Sequence, residues 1–156
     1  MKLAVITIAL SAMFPLNGAD ATGAIQWTAA QFDGMQKDLA TKLDQTKSGM
    51  GQLLREASYN VVLVHREGSG QGEIHENLAD FIIMRSGSAV ILVGGQAVNP
   101  KPTTPGELRG ERVEGGTRYA MNTGDMLYIP ANTPHQILIE KGKVMNAIVI
   151  KVAPQK

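Results

Sequence analysis

The 156-residue chain contains no cysteine. That excludes disulfides, thiolate metal ligands, a cysteine nucleophile and a lipid-modified N-terminal cysteine, so the fold rests on burial, hydrogen bonds and any bound metal. Charge of one sign is also missing: 15 basic residues stand against 14 acidic ones, and the basic residues are dispersed. No basic patch exists to recruit nucleic acid, and that class is set aside. The longest apolar run, "LAVITIALSAMFPL", has 14 residues and is interrupted by Pro15, too short for a comfortable membrane span. No G-x-S-x-G marks a nucleophilic serine. "EGSGQG" at 67–72 leads into a strand and not a helix, so it is no phosphate loop. Histidine is scarce, with only His65, His75 and His135.

The length allows one ordinary domain, and 44% hydrophobic residues suffice for a core. Lys2, the apolar run and "NGADA", ending in Ala19-x-Ala21, follow the order of an export signal. The same run would also serve as a buried first strand, but its order favours the signal. Residues 1–21 are therefore expected to be a signal peptide, leaving a periplasmic or secreted protein of 156 − 21 = 135 residues with no membrane association after processing.

Residues 22–49 form an N-terminal helical segment. In "WTAAQFDGMQKDLATKLDQTK", Thr28 and Gln31 make a capping box, and Phe32, Met35, Leu39 and Leu43 fall on one face. Lys42 and Lys47 near its end suit the helix dipole. From residue 50 to 156 the pattern is all-β. Eight short runs rich in Val, Ile and Leu ("QLLREA", "YNVVLVH", "DFIIMRS", "AVILVGG", "TRYAM", "DMLYIP", "HQILIE", "VMNAIVIKV") alternate with turn residues, and 12 of the 17 glycines lie between Gly68 and Gly142. "RSGSAV" and "MNTGDM" read as hairpin-like connections. Strands without intervening helices indicate an antiparallel sandwich or small barrel. The stretch 97–116, with three prolines, is either a lid or a solvated excursion.

Chemistry concentrates in "GEIHENLAD", residues 72–80. Glu73 and His75 are two apart, so on a strand they project from one face, and Asp80 opens the next apolar run. If the strand beginning at His135 lies alongside, two imidazoles and one or two carboxylates converge. Such nitrogen and oxygen donors suit Fe(II), Mn(II), Zn(II), Ni(II) or Co(II), with positions left open for substrate.

These residues resemble the cupin superfamily. Its first motif is histidine, one spacer, histidine, three or four spacers, glutamate, six spacers, glycine; Glu73, His75, Asp80 and Gly87 occupy those slots in order. Its second motif, glycine, five residues, proline, one residue, glycine, two residues, histidine, is met by Gly124, Pro130 and His135, with Asn132 in place of the second glycine. The resemblance covers roughly residues 50–153 and implies a small antiparallel cupin, or jelly-roll, β-barrel with its site inside one mouth. It also implies a homodimer.

On this resemblance Glu73, His75 and His135 are the expected metal ligands. Asp80, one methylene shorter than the usual glutamate, is either the fourth ligand or a group orienting an imidazole. Glu73, replacing a histidine, is alternatively a general base with a raised pKa in an apolar barrel. Arg109 either clamps an anionic substrate or pairs with a local glutamate. His65 lies outside both motifs, which favours a structural role, and Glu76 and Asn77 are expected to face the bend or solvent. Metal identity stays open: affinity order favours copper or zinc, oxygen-rich ligation manganese or iron. The partner expected in the mouth is a small organic molecule. Three classes remain: a metal-dependent enzyme of dioxygenase, isomerase or lyase type; a non-catalytic binder of a sugar or organic acid, with or without metal; and a barrel with a vestigial site that serves assembly.

Overall fold

The computed structural model describes residues 12–13 and 22–153. In chain order the elements are β1 (Ala12–Met13), α1 (Ala29–Ala40), β2 (Ser48–Arg55), β3 (Tyr59–Arg66), β4 (Gly72–His75), β5 (Ala79–Val93), β6 (Gln96–Ala97), β7 (Lys101–Thr104), β8 (Glu107–Gly110), β9 (Val113–Glu114), β10 (Thr117–Asn122), β11 (Met126–Ile129), β12 (His135–Leu138) and β13 (Met145–Val152). Apart from the backbone of β1, which runs parallel to Gly51 and Gln52 of β2, the expected signal segment lies outside the described residues.

The long strand β5 organises the barrel. Its first half pairs antiparallel with β13 on one side and β11 on the other. Its second half pairs with β10 and β12. One path leads from β5 through β13 and β3 to β2, the other through β12, β4 and β8 to β7. The sheet is thereby curled, with the β4 and β12 site strands on one wall and β13 on the other.

Two sequence expectations are corrected here. "RSGSAV" is not a hairpin, because it lies inside β5, and "DFIIMRS" and "AVILVGG" are one continuous strand. Gly87 carries the bend: its φ is +81°, and an added Cβ would stand 2.0 Å from the Val144 carbonyl oxygen, so only glycine fits. "MNTGDM" is a turn, with Asp125 N–H bonded to the Asn122 carbonyl at 3.0 Å, but β10 and β11 do not pair with each other. Both run along β5, one after the other.

Strand alternation decides what faces inward. Val64, Ile82, Met84, Ile91, Met121, Ile129, Met145, Ala147 and Val149 form the buried interior. The opposite face of β2, β3 and β13 is covered by α1 through Phe32 and Leu39 against Leu53, Leu63 and Ile148. Fully burying Leu39 and Leu63 contributes roughly 1.5–3 kcal/mol each. The helix begins at Thr28 with the expected capping box to Gln31. It ends earlier than its apolar spacing suggested: Thr41 closes it, and Lys42 pairs back onto Asp38 at 2.7 Å. No helix among the described residues is long and apolar enough to cross a membrane.

The stretch 97–116 is neither a free lid nor a bare excursion. It contains the β7–β8 hairpin, and β8 pairs with β4, placing Glu107 opposite His75 and Arg109 opposite Glu73.

Candidate metal centre

Two short strands bring the donors together. Glu73 and His75 project inward from β4, and β12 pairs with β4 so that His135 lies directly across from Glu73. One ligand atom from each of Glu73, His75 and His135 falls within 4.8 Å of the others. The two imidazole rings are tilted, with centroids 5.1 Å apart. Both histidines are 2% exposed, so neither is an ordinary surface residue.

Their outer nitrogens are committed elsewhere. His75 Nδ1 donates to Glu107 Oε2 at 2.6 Å, and His135 Nδ1 donates to the Thr133 carbonyl at 3.0 Å. These bonds select the tautomer in which each Nε2 lone pair faces the centre. The turn before His135 is fixed by Asn132, whose N–H donates to the His75 carbonyl at 2.7 Å. Asn132 has φ +58°. Asparagine tolerates this left-handed backbone, which explains how it fills a glycine slot of the second motif.

Asp80, 3% exposed, stands beside both imidazoles, with Oδ2 3.8 Å from His135 Nε2. Its Oδ2 lies 3.3 Å from His75 Nε2, and both of its oxygens accept from Lys151 Nζ at 2.9 Å. The same ammonium donates to His75 Nε2 at 2.7 Å. Lys151 was not singled out from the sequence. The signal was available: Met145, Ala147 and Val149 set the inward phase of β13, and Lys151 is the next residue in that phase. Glu107 was missed because its stretch reads as loop.

Arg109 stands against carboxylates, with Nη1 3.2 Å from Glu73 Oε2 and Nη2 3.3 Å from Glu107 Oε2. The first contact is an ion pair without hydrogen-bond alignment, and Nη1 is buried with no hydrogen-bond partner. The pairing with local glutamates is thus present. His65 is buried away from the centre, with Nδ1 2.7 Å from Asn146 Oδ1 and Nε2 3.2 Å from Glu67 Oε1. Glu76 and Asn77 are exposed. An open groove of about 460 Å³ runs along residues 102–108 beside Glu76 and includes Glu107 in its wall.

The electrostatics follow from this packing. Burial disfavours the charged form of Glu73, but Arg109, His135, His75 and Lys151 outweigh it and hold the carboxyl below its ordinary value. The expectation of a raised Glu73 pKa is therefore corrected: the mouth is not purely apolar but holds two cations, Arg109 and Lys151. Burial likewise opposes ionisation of Asp80, yet the adjoining His75 ring and the charge of Lys151 bring it down to about 2. Burial lowers His135, only partly offset by Glu73, so it stays neutral at physiological pH. For His75 burial also opposes charge, but Asp80 and Glu107, both placed to accept from the protonated ring, raise its pKa. The contact with Lys151 leaves room for one proton between the two nitrogens, so the imidazole is neutral whenever Lys151 donates to it.

The donor set fits a divalent ion. Two neutral imidazole nitrogens and an ionised carboxylate oxygen match intermediate first-row metals, and the outer bonds pre-orient both rings.

No protein-family model and no curated protein sequence matches the chain. Solved structures do. The chain is similar to the cupin domain of Schizosaccharomyces pombe Cnp3, with TM-score 0.53 and 10% identity over 70% of this chain and 67% of that one. It is similar to the polyketide cyclase RemF from Streptomyces resistomycificus, with TM-score 0.50 and 14% identity over 69% and 66%. It is also similar to Streptomyces Pac13, a nucleoside dehydratase, with TM-score 0.52 and 12% identity over 73% and 76%. At these identities the likeness speaks for the backbone alone. With its curled antiparallel sheet and both motif segments meeting inside it, the chain has a cupin-like fold.

Proposed function

We propose that this is an exported cupin that holds a divalent metal ion through Glu73, His75 and His135, and binds or transforms a small organic molecule in the barrel mouth. The observation that carries the reading is the convergence of three donor atoms within 4.8 Å from strands sixty residues apart. A bound ion supplies Lewis acidity toward a carboxylate, hydroxyl or carbonyl oxygen. The chain's own residues do the rest. Glu107 and the Thr133 carbonyl hold the rings, and the lowered Glu73 pKa favours a ligand over a general base. Arg109 is ion-paired with Glu73 and Glu107, so an anionic substrate group would have to compete with these carboxylates for it. Structural neighbours named as a polyketide cyclase and a nucleoside dehydratase, the latter also solved with uridine, support a small-molecule role.

The test is metal analysis of protein purified without an affinity tag, followed by Co(II) titration. Wild-type protein is expected to hold about one ion per chain, and His135→Ala none; equal, negligible content in both would sink the metal reading. A ligand screen followed by a turnover assay then separates an enzyme from a non-catalytic sugar or organic-acid binder. Export is tested by the N-terminal sequence of protein recovered from the periplasm or medium, which is expected to start at Thr22. Such processing would remove β1 and free the edge of β2 at Gly51 and Gln52. The homodimer is tested by sedimentation of the mature chain.

A further inference from the structure

We infer that Lys151 is a resident cation of this centre, competing with a metal ion for His75 and Asp80, so that metal binds only when the ammonium withdraws. The inference rests on the reading of Glu73, His75 and His135 as metal ligands. It concerns what that ligand set does when no ion is bound.

The geometry is that of a filled cation seat. Lys151 Nζ donates to His75 Nε2 at 2.7 Å and to the two Asp80 oxygens at 2.9 Å. Three donors thus meet three acceptors, the full capacity of an ammonium. His75 has only one inward lone pair, because Nδ1 is bonded to Glu107. A first-row ion would sit about 2.1 Å along that lone pair. The ammonium already occupies that direction, and two cations on one lone pair repel as well as collide.

Lys151 also balances the charge. Glu73, Asp80 and Glu107 bring three carboxylates to the cluster, against two cations, Arg109 and Lys151. Without Lys151 the buried Asp80 carboxylate would have no cationic partner, and carboxylates crowded in a part-buried mouth repel. The ammonium therefore keeps the metal-free ligand set assembled.

The register offers the side chain a second seat. The register places Asn60 of β3 directly beside Lys151 of β13, and the Asn60 Oδ1 atom is buried with no hydrogen-bond partner. The long flexible stem of lysine can swing Nζ from Asp80 toward this oxygen. Two positions of one side chain then define a metal-refusing and a metal-accepting form. Measured metal affinity is reduced by the fraction of molecules in the accepting form. The centre thereby discriminates against weakly held ions, since each must displace an ammonium already bonded to two of its residues.

The test compares Co(II) binding, by visible absorption and calorimetry, in the full wild-type chain, in Lys151→Met and in the double variant Asp80→Asn with Lys151→Met. The double variant removes both members of the ion pair and serves if the single one fails to fold. Lys151→Met, or the double variant in its place, is expected to bind Co(II) roughly tenfold more tightly than wild type, as removal of a tenfold-favoured competitor requires. Binding by wild type with unchanged or weaker affinity in the variants overturns the competition while leaving the metal site intact. Absence of binding in all three overturns the metal reading, and this inference with it.

Discussion

Glu107 Oε2 accepts a 2.6 Å hydrogen bond from His75 Nδ1 across the β4–β8 pair, where the two residues are direct neighbours in register. The bond fixes both the ring and its tautomer, and Arg109 steadies the carboxylate from its other side. Glu107→Gln is expected to weaken metal binding by roughly 10–100-fold without unfolding the protein. Co(II) titration checks this; an unchanged affinity would mean that packing alone orients His75.

Glu73 separates two chemistries. As a ligand, its replacement by Gln removes an anionic donor, and metal content falls together with any turnover. As a general base, Glu73→Gln would abolish turnover with metal content preserved. Its lowered pKa favours the first outcome. Metal analysis and activity measured on the same preparation decide.

Asp80 predicts the acid limb of stability for the metal-free protein. Its carboxyl has a pKa of about 2 when folded, against an ordinary 3.8. The folded state thus favours the ionised form. That stabilisation is complete above the ordinary value and is lost as pH falls through the folded one. The gap corresponds to roughly 2 kcal/mol, removed progressively between about pH 4 and pH 2. Urea midpoints across that range should fall steeply in wild type and less steeply in Asp80→Asn.

Gly87 carries the bend of β5. Gly87→Ala would force a side chain into φ +81° and against the Val144 carbonyl. The expected cost is about 3 kcal/mol or more, read from denaturant unfolding. A variant as stable as wild type would show that the β5–β13 bulge between Asn146 and Ala147 can relax to absorb it.

Much of this centre could be read from spacing. The two-residue step from Glu73 to His75 puts both on one strand face, and the interval from Gly124 to His135 encodes a turn that returns His135 to the same wall. Asn132 looked like a departure, yet its φ is what the slot demands. What spacing could not show is lateral pairing. Glu107 reaches His75 because a proline-rich stretch forms strands, and nothing local announces that β8 chooses β4. Lys151 was legible in principle from the inward phase of β13, but a lysine ending a strand is ordinarily solvated. "RSGSAV" misled because glycine bends a continuous strand here with the same residues that close a hairpin elsewhere.

The unequal anchoring of the strands separates their motions in time. Both ends of β5 are flanked on two sides, residues 80–83 by β13 and β11 and residues 90–93 by β12 and β10, so those amides are expected to exchange slowly with solvent. The β7–β8 hairpin is held in the sheet through β4, with single backbone bonds at Gly106 and Glu111, so a local opening there is expected to cost less than opening the barrel. Such an excursion would carry Glu107 and Arg109 off together, loosening His75 and uncovering Glu73 while the opposite wall, with Asp80 and Lys151, stays in place. A guest molecule could thus enter through a brief local opening at no cost to the rest of the fold.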